Sequence, residues 1–126
     1  MNNKDVAKAW LQFAETDLAA AEYLRNMKPV PLEIICYHCQ QAAEKSLKAF
    51  LALHGEPVRK THDLVLLNKL CSAIEPSFSS IETPCLELTD YGVNVRYPFT
   101  LEVEEADALA ALSNAQSVLD FTSKAF

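Results

Sequence analysis

The chain has 126 residues, half of them hydrophobic, and a formal net charge of -6. That length and apolar content are enough for one domain, residues 1–126, to build its own core without disulfide or metal staples. The acidic balance excludes a broad basic surface for nucleic-acid backbones, so any nucleic acid has to meet a local basic pocket.

Two glycines and six prolines sit at a few points and separate long stretches rich in Ala, Leu, Glu and Lys, which are strong helix formers. The first helix is predicted from about Lys4 to Met27, with Asn3 as N-cap and Pro29 and Pro31 beyond its end. Its core seam reads Val6, Trp10, Phe13, Asp17, Ala21 and Leu24, and Asp17 interrupts it. A second helix starts at Pro31 and stops at His54-Gly55, with a stripe of Leu32, Cys36, Cys39, Ala43, Leu47 and Phe50. Gln41, Glu44 and Lys48 fall on one polar strip of that helix, with His38 and Lys45 one turn away. His54 is expected at the helix C-terminus, where a cation is favoured, and His38 at a surface or interface.

After the loop 56–60, a third helix begins around Thr61-His62-Asp63 and carries Leu64, Leu67, Leu70, Cys71 and Ile74 as far as Pro76. Residues 76–80 read as a turn-rich connector, and Ile81 to about Tyr91 as a short helix. Gly92 then releases the chain into an irregular stretch, 93–101, that presents Arg96 from a loop. The last helix runs from about Glu102 to Lys124, with Leu101, Ala108, Leu112, Ala115, Leu119 and Thr122 on its light face. Short loops between long helices imply an all-α, up-and-down antiparallel bundle of four to five helices.

Cys36 and Cys39 lie one turn apart on an apolar helix face, and Cys71 and Cys85 are too far apart from each other to form the second half of a zinc ribbon. All four are read as buried thiols, with no metal and no cofactor expected. No apolar run approaches the ~18–20 residues that span a bilayer, and the N-terminus lacks a secretory pattern. The expectation is a cytoplasmic protein with no membrane partner.

The residues that could carry chemistry are Asp17, Glu44, Lys48, His62 and Arg96, ionic side chains from distant points of the chain. Three readings are open. Asp17 and Glu44 could pair with Arg96 and Lys48 as a structural network, since unpaired charge is costly to bury. Arg96 and Lys48 could instead contact phosphate with His62 as acid or base, or the charges could simply be solvated.

The segments Ala14-Glu15-Thr16-Asp17-Leu18-Ala19-Ala20-Ala21, Gln40-Gln41-Ala42-Ala43-Glu44-Lys45-Ser46-Leu47-Lys48-Ala49, Thr61-His62-Asp63-Leu64 and Arg96-Tyr97-Pro98 resemble the HEPN family, the "higher eukaryotes and prokaryotes nucleotide-binding" domain. The resemblance extends from about Val6 to Leu119. It implies a helical bundle that dimerises with itself and a minimal nucleotidyltransferase as protein partner, as in toxin–antitoxin pairs. It further implies a nucleotide- or polynucleotide-associated pocket of Asp17, Gln41, Glu44, Lys48, His62, Arg96 and Tyr97. Arg96 and Lys48 would face phosphate, Gln41 and Tyr97 a base, and Asp17 and Glu44 would orient the cations; simple packing is the other reading of Tyr97.

Many members of the family resemble metal-independent ribonucleases in which an Arg is followed a few residues later by a His. Here Arg96 is followed by Tyr-Pro-Phe-Thr-Leu-Glu-Val-Glu, without a His, and Arg59 is only three positions before His62. His62 and Arg96 are therefore the catalytic candidates of a ribonuclease alternative, and a non-catalytic dimerisation scaffold is the third.

Overall fold

The chain's first helix is set by an asparagine that bonds the backbone instead of joining the helix. Asn2 accepts a hydrogen bond at its side-chain oxygen from the Asp5 amide at 2.8 Å, so the cap lies one residue before the expected Asn3. The computed structural model describes residues 1–92 and 102–126. Among these, five α-helices and two short 3₁₀ segments make the fold, with no strand. They are α1 (Asn3–Leu24), α2 (Leu32–Leu53), α3 (Leu64–Ile74), α4 (Glu82–Leu88) and α5 (Glu105–Ala125).

The ends follow from local chemistry. Helix α1 stops at Leu24, and Arg25 to Met27 continue as turns. His54 caps the C-terminus of α2, and Gly55 takes φ 74°, a left-handed conformation that a Cβ would disfavour. Asp63 caps α3 by accepting from the amides of Val65 and Leu66 at 3.0 and 3.1 Å. The stretch read as a plain connector is a 3₁₀ helix, Pro76–Ile81, and the short helix expected to reach Tyr91 gives way after Leu88 to a second 3₁₀ segment, Thr89–Gly92. Helix α5 starts at Glu105 and not at Glu102. Glu104 and Asp107 form a reciprocal capping box there, the Asp107 carboxylate accepting from the Glu104 amide at 2.9 Å.

Helices α1 and α2 run antiparallel along most of their length, with Trp10 beside Lys48 and Asp17 beside His38 and Lys45. Helix α5 covers another face of α2, and α3 and α4 close one side of the bundle. The expected seam of α1 is displaced by one position as far as Leu18, and Ala21 is buried as expected. The buried residues are Ala7, Ala14, Leu18 and Ala21, whereas Phe13 is 61% exposed and Val6, Trp10 and Leu24 are half-buried. Three alanines seven residues apart let α1 approach α2 closely, and the bulky neighbours are left to flank the groove. The stripe expected of α2 is nearly all buried, and Ile35, Ala42 and Ala49 join it. Phe50, Phe78 and Phe121 stack in series with ring centroids 4.4 and 4.9 Å apart and seal one end of the core.

All four cysteines are fully buried thiols. Burial pushes Cys36, Cys71 and Cys85 up to about 12 and Cys39 higher still. No described helix is long and apolar enough to cross a membrane.

Candidate functional site

Glu44 occupies the middle of α2, on a helix buried nearly all round, and is only 4% exposed. A carboxylate so placed has to be satisfied by donors. Lys48, one turn on, donates to Oε2 at 3.0 Å. His62, just ahead of α3, donates from Nδ1 to Oε1 at 2.8 Å, and Gln40, one turn back, approaches the same oxygen from Nε2 at 3.4 Å. Glu44 is thus the hub of a network spanning α2 and the α2–α3 loop.

Gln40 fastens that loop. It is fully buried, and its Nε2 also donates to the His62 carbonyl at 3.0 Å while its Oε1 accepts from Gln41 at 2.8 Å. Gly92 lies directly against the Gln40 amide, where a Cβ would come within 2.7 Å of Nε2. The polar strip expected on α2 therefore divides, because Glu44 and Gln40 face inward and Gln41 reaches the network only through Gln40. Gln40 belongs to the Glu44 network, a place that the helical pattern concealed.

The imidazole of His62 is held at Nδ1 by a carboxylate while its side chain stays 58% exposed. This arrangement fixes the ring and turns Nε2 outward. Lys48 is 11% exposed, and its ammonium lies 5.8 Å from the centre of the Trp10 ring. A shallow crevice of about 10 Å³ next to it is lined by Trp10, Lys48 and Arg59 among others.

Asp17 belongs to a second, adjacent cluster. It is ion-paired with Lys45 and accepts from His38 Nδ1 at 3.0 Å, so its partners come from the neighbouring turns of α2 and are neither Lys48 nor, among the described residues, any arginine. His38, expected at a surface or interface, is half-buried in this pair. Lys45 also stands 5.9 Å from the ring centre of the exposed Phe13. Each carboxylate thus gathers one lysine and one histidine, and each lysine borders an aromatic ring of α1. Arg96 and Tyr97 lie outside the described residues.

The four expected residues Asp17, Gln41, Glu44 and Lys48 share one side of the α1–α2 pair with His62. Phe13, Trp10 and Lys45 complete the surface, although reasoning from periodicity placed the two aromatics in the core. The signal that could have found them is Asp17 itself. A seam that tolerates a carboxylate is a seam partly open to water.

The comparisons with known proteins bear on the fold and the family. The HEPN domain model matches residues 7–125 of the chain. The crystal structure of TT1696 from Thermus thermophilus is similar, with a TM-score of 0.80 over 100% of both chains at 25% identity. That of ST0689, an archaeal HEPN homologue, is similar in fold, with a TM-score of 0.74 over 94% of this chain and 95% of its own at 24% identity. No curated protein matches the sequence.

Proposed function

The chain belongs to the HEPN domain family, and from that premise we propose that it is a polynucleotide-associated interaction module whose binding surface is the α1–α2 ridge. One observation carries this reading: Phe13 and Trp10 stand beside Lys45 and Lys48 on a single face. Aromatic rings interleaved with cations form a platform on which single-stranded bases stack while phosphates meet the charges. Arg59 and Lys60, both exposed beside His62, add cations to a face on which Lys45 and Lys48 are each paired with a carboxylate. A homodimer with a minimal nucleotidyltransferase as partner is part of the same proposal and rests on the family resemblance.

The test is fluorescence anisotropy with a short single-stranded oligoribonucleotide. Phe13→Ala weakens binding about fivefold or more, as expected from the loss of one base–aromatic stack. Affinity also falls as salt rises. Binding insensitive to both would reject the ridge as the contact surface.

The Glu44–His62 pair favours a second reading, a metal-independent ribonuclease. A carboxylate-held imidazole with Nε2 facing outward is arranged as a general base or acid. RNA cleavage that survives chelators and falls by about 10²–10⁴ in His62→Ala would support it. Binding without any cleavage leaves the interaction module as the function.

A further inference from the structure

The two clusters on the ridge have the same composition. Asp17 is paired with Lys45 and bonded to His38 at Nδ1, and Glu44 is paired with Lys48 and bonded to His62 at Nδ1. In each, one ammonium cancels one carboxylate, so the lysines alone leave neither cluster with a net charge to meet a phosphate. The histidines decide the balance, because imidazole is the side chain that ordinarily gains a charge between about pH 8 and about pH 5. With Nδ1 turned to the carboxylate in both rings, the added proton goes to Nε2. In His62 that nitrogen faces outward, and a neutral acceptor becomes a charged donor. The side chain of His62 is 58% exposed and that of His38 29%, so His62 is the better placed of the two.

We propose that the ridge binds protons together with polynucleotide: His62, with a smaller share from His38, supplies as imidazolium the charge that meets the phosphates, and affinity rises as pH falls. This rests on the reading of the ridge as a polynucleotide surface. The charged partners of His38 among the described residues are Asp17 of α1 and, through it, Lys45 of α2. Those of His62 are Glu44 and Lys48 of α2, with Lys60 and Asp63 next to it in the chain, where Asp63 caps α3. The 3₁₀ segment bonded to the Leu64 amide through Thr89 carries Asp90. Arg59 and Lys60 keep their charge over the same range and account for the binding that remains at higher pH. His54, the third histidine, packs against Phe50 and joins neither cluster.

The test is fluorescence anisotropy with a 2′-O-methyl oligouridylate, which cannot be cleaved through its own 2′-hydroxyl, at about pH 5.5 and about pH 8. The wild-type chain should bind about tenfold more tightly at the lower pH. The slope of log affinity against log salt should steepen there by about 0.7 for each imidazolium engaged. His62→Gln should reduce the tenfold gain to about threefold or less, His38→Gln should remove a smaller part, and His54→Gln should keep it whole. His62→Lys, a cation at both pH values, should bind at the higher pH about as tightly as the wild type does at the lower. If His62→Gln fails to fold, His62→Lys and the proton uptake of the wild-type chain decide, the latter read by calorimetry in two buffers of different ionisation enthalpy. Affinity and salt slope that do not change with pH, binding without proton uptake, or a full gain retained in the folded His62→Gln variant would each overturn the proposal. Binding that is independent of pH yet weakened by Phe13→Ala would overturn proton linkage and leave the ridge as the contact surface. No binding at either pH would overturn both.

Discussion

At the level of single residues, Glu44 has the most to lose. It is a buried carboxylate with three donors, and Lys48, its partner, is itself largely withdrawn from water. Glu44→Ala strands that ammonium and the Gln40 amide, and should cost about 3–5 kcal/mol in urea unfolding. Glu44→Gln retains the shape and one acceptor, so its loss should be smaller, about 1–3 kcal/mol. Equal and negligible effects of the two changes would show that the network contributes little to stability. Gly92 depends on the same network, since a Cβ there would displace the Gln40 amide from its bonds to Glu44 and to the His62 carbonyl. The family resemblance pointed to Glu44, Lys48 and His62 as members of one site, and the structure joins them. Gln40 was not legible, because an amide inside a helix gives no sign of which way it faces until the loop it fastens is in place.

Among the elements, the α1–α2 contact governs the rest, and it is built on small side chains. Ala7, Ala14 and Ala21 are fully buried at heptad spacing. Ala14→Leu forces extra methylenes into that close contact and should destabilise the protein by about 1–3 kcal/mol in urea unfolding. A neutral result would mean that the two helices are loosely packed. Helix count, order and approximate ends were readable from proline, glycine and the Ala/Leu/Glu/Lys runs. The one-residue displacement of the α1 seam was not, because Val6, Trp10 and Phe13 carry more hydrophobic weight than the alanines that make the contact. Periodicity alone measures apolarity, whereas close helix approach rewards small volume. The late start of α5 has a similar cause, since Glu104 acts as a cap through its pairing with Asp107 although glutamate is an ordinary residue of the helix interior.

For the whole molecule, the buried thiols set a pH dependence. Their protonation is held to higher pH in the folded chain, mainly by burial, with Cys36, Cys71 and Cys85 raised from 9.0 to about 12. Above about pH 9 the unfolded chain releases thiol protons that the folded chain retains, so the folded state binds more protons and stability falls as pH rises towards about 12. Urea unfolding at stepped alkaline pH should show that decline, with ultraviolet thiolate absorbance appearing only on unfolding; thiolate absorbance in the folded protein at pH 9 would contradict it. The net charge is -6, and on the α1–α2 face Lys45 and Lys48, each paired with a carboxylate, stand beside aromatic rings. The central claim is that this face receives single-stranded polynucleotide, and the chain's one tryptophan, Trp10, lies on it. Titration of the intrinsic Trp10 fluorescence with a short oligoribonucleotide should give saturable quenching that weakens with salt and needs about fivefold more RNA, or more, in Phe13→Ala. Binding detected by anisotropy with the Trp10 signal unchanged, or no binding at low salt, would contradict the account.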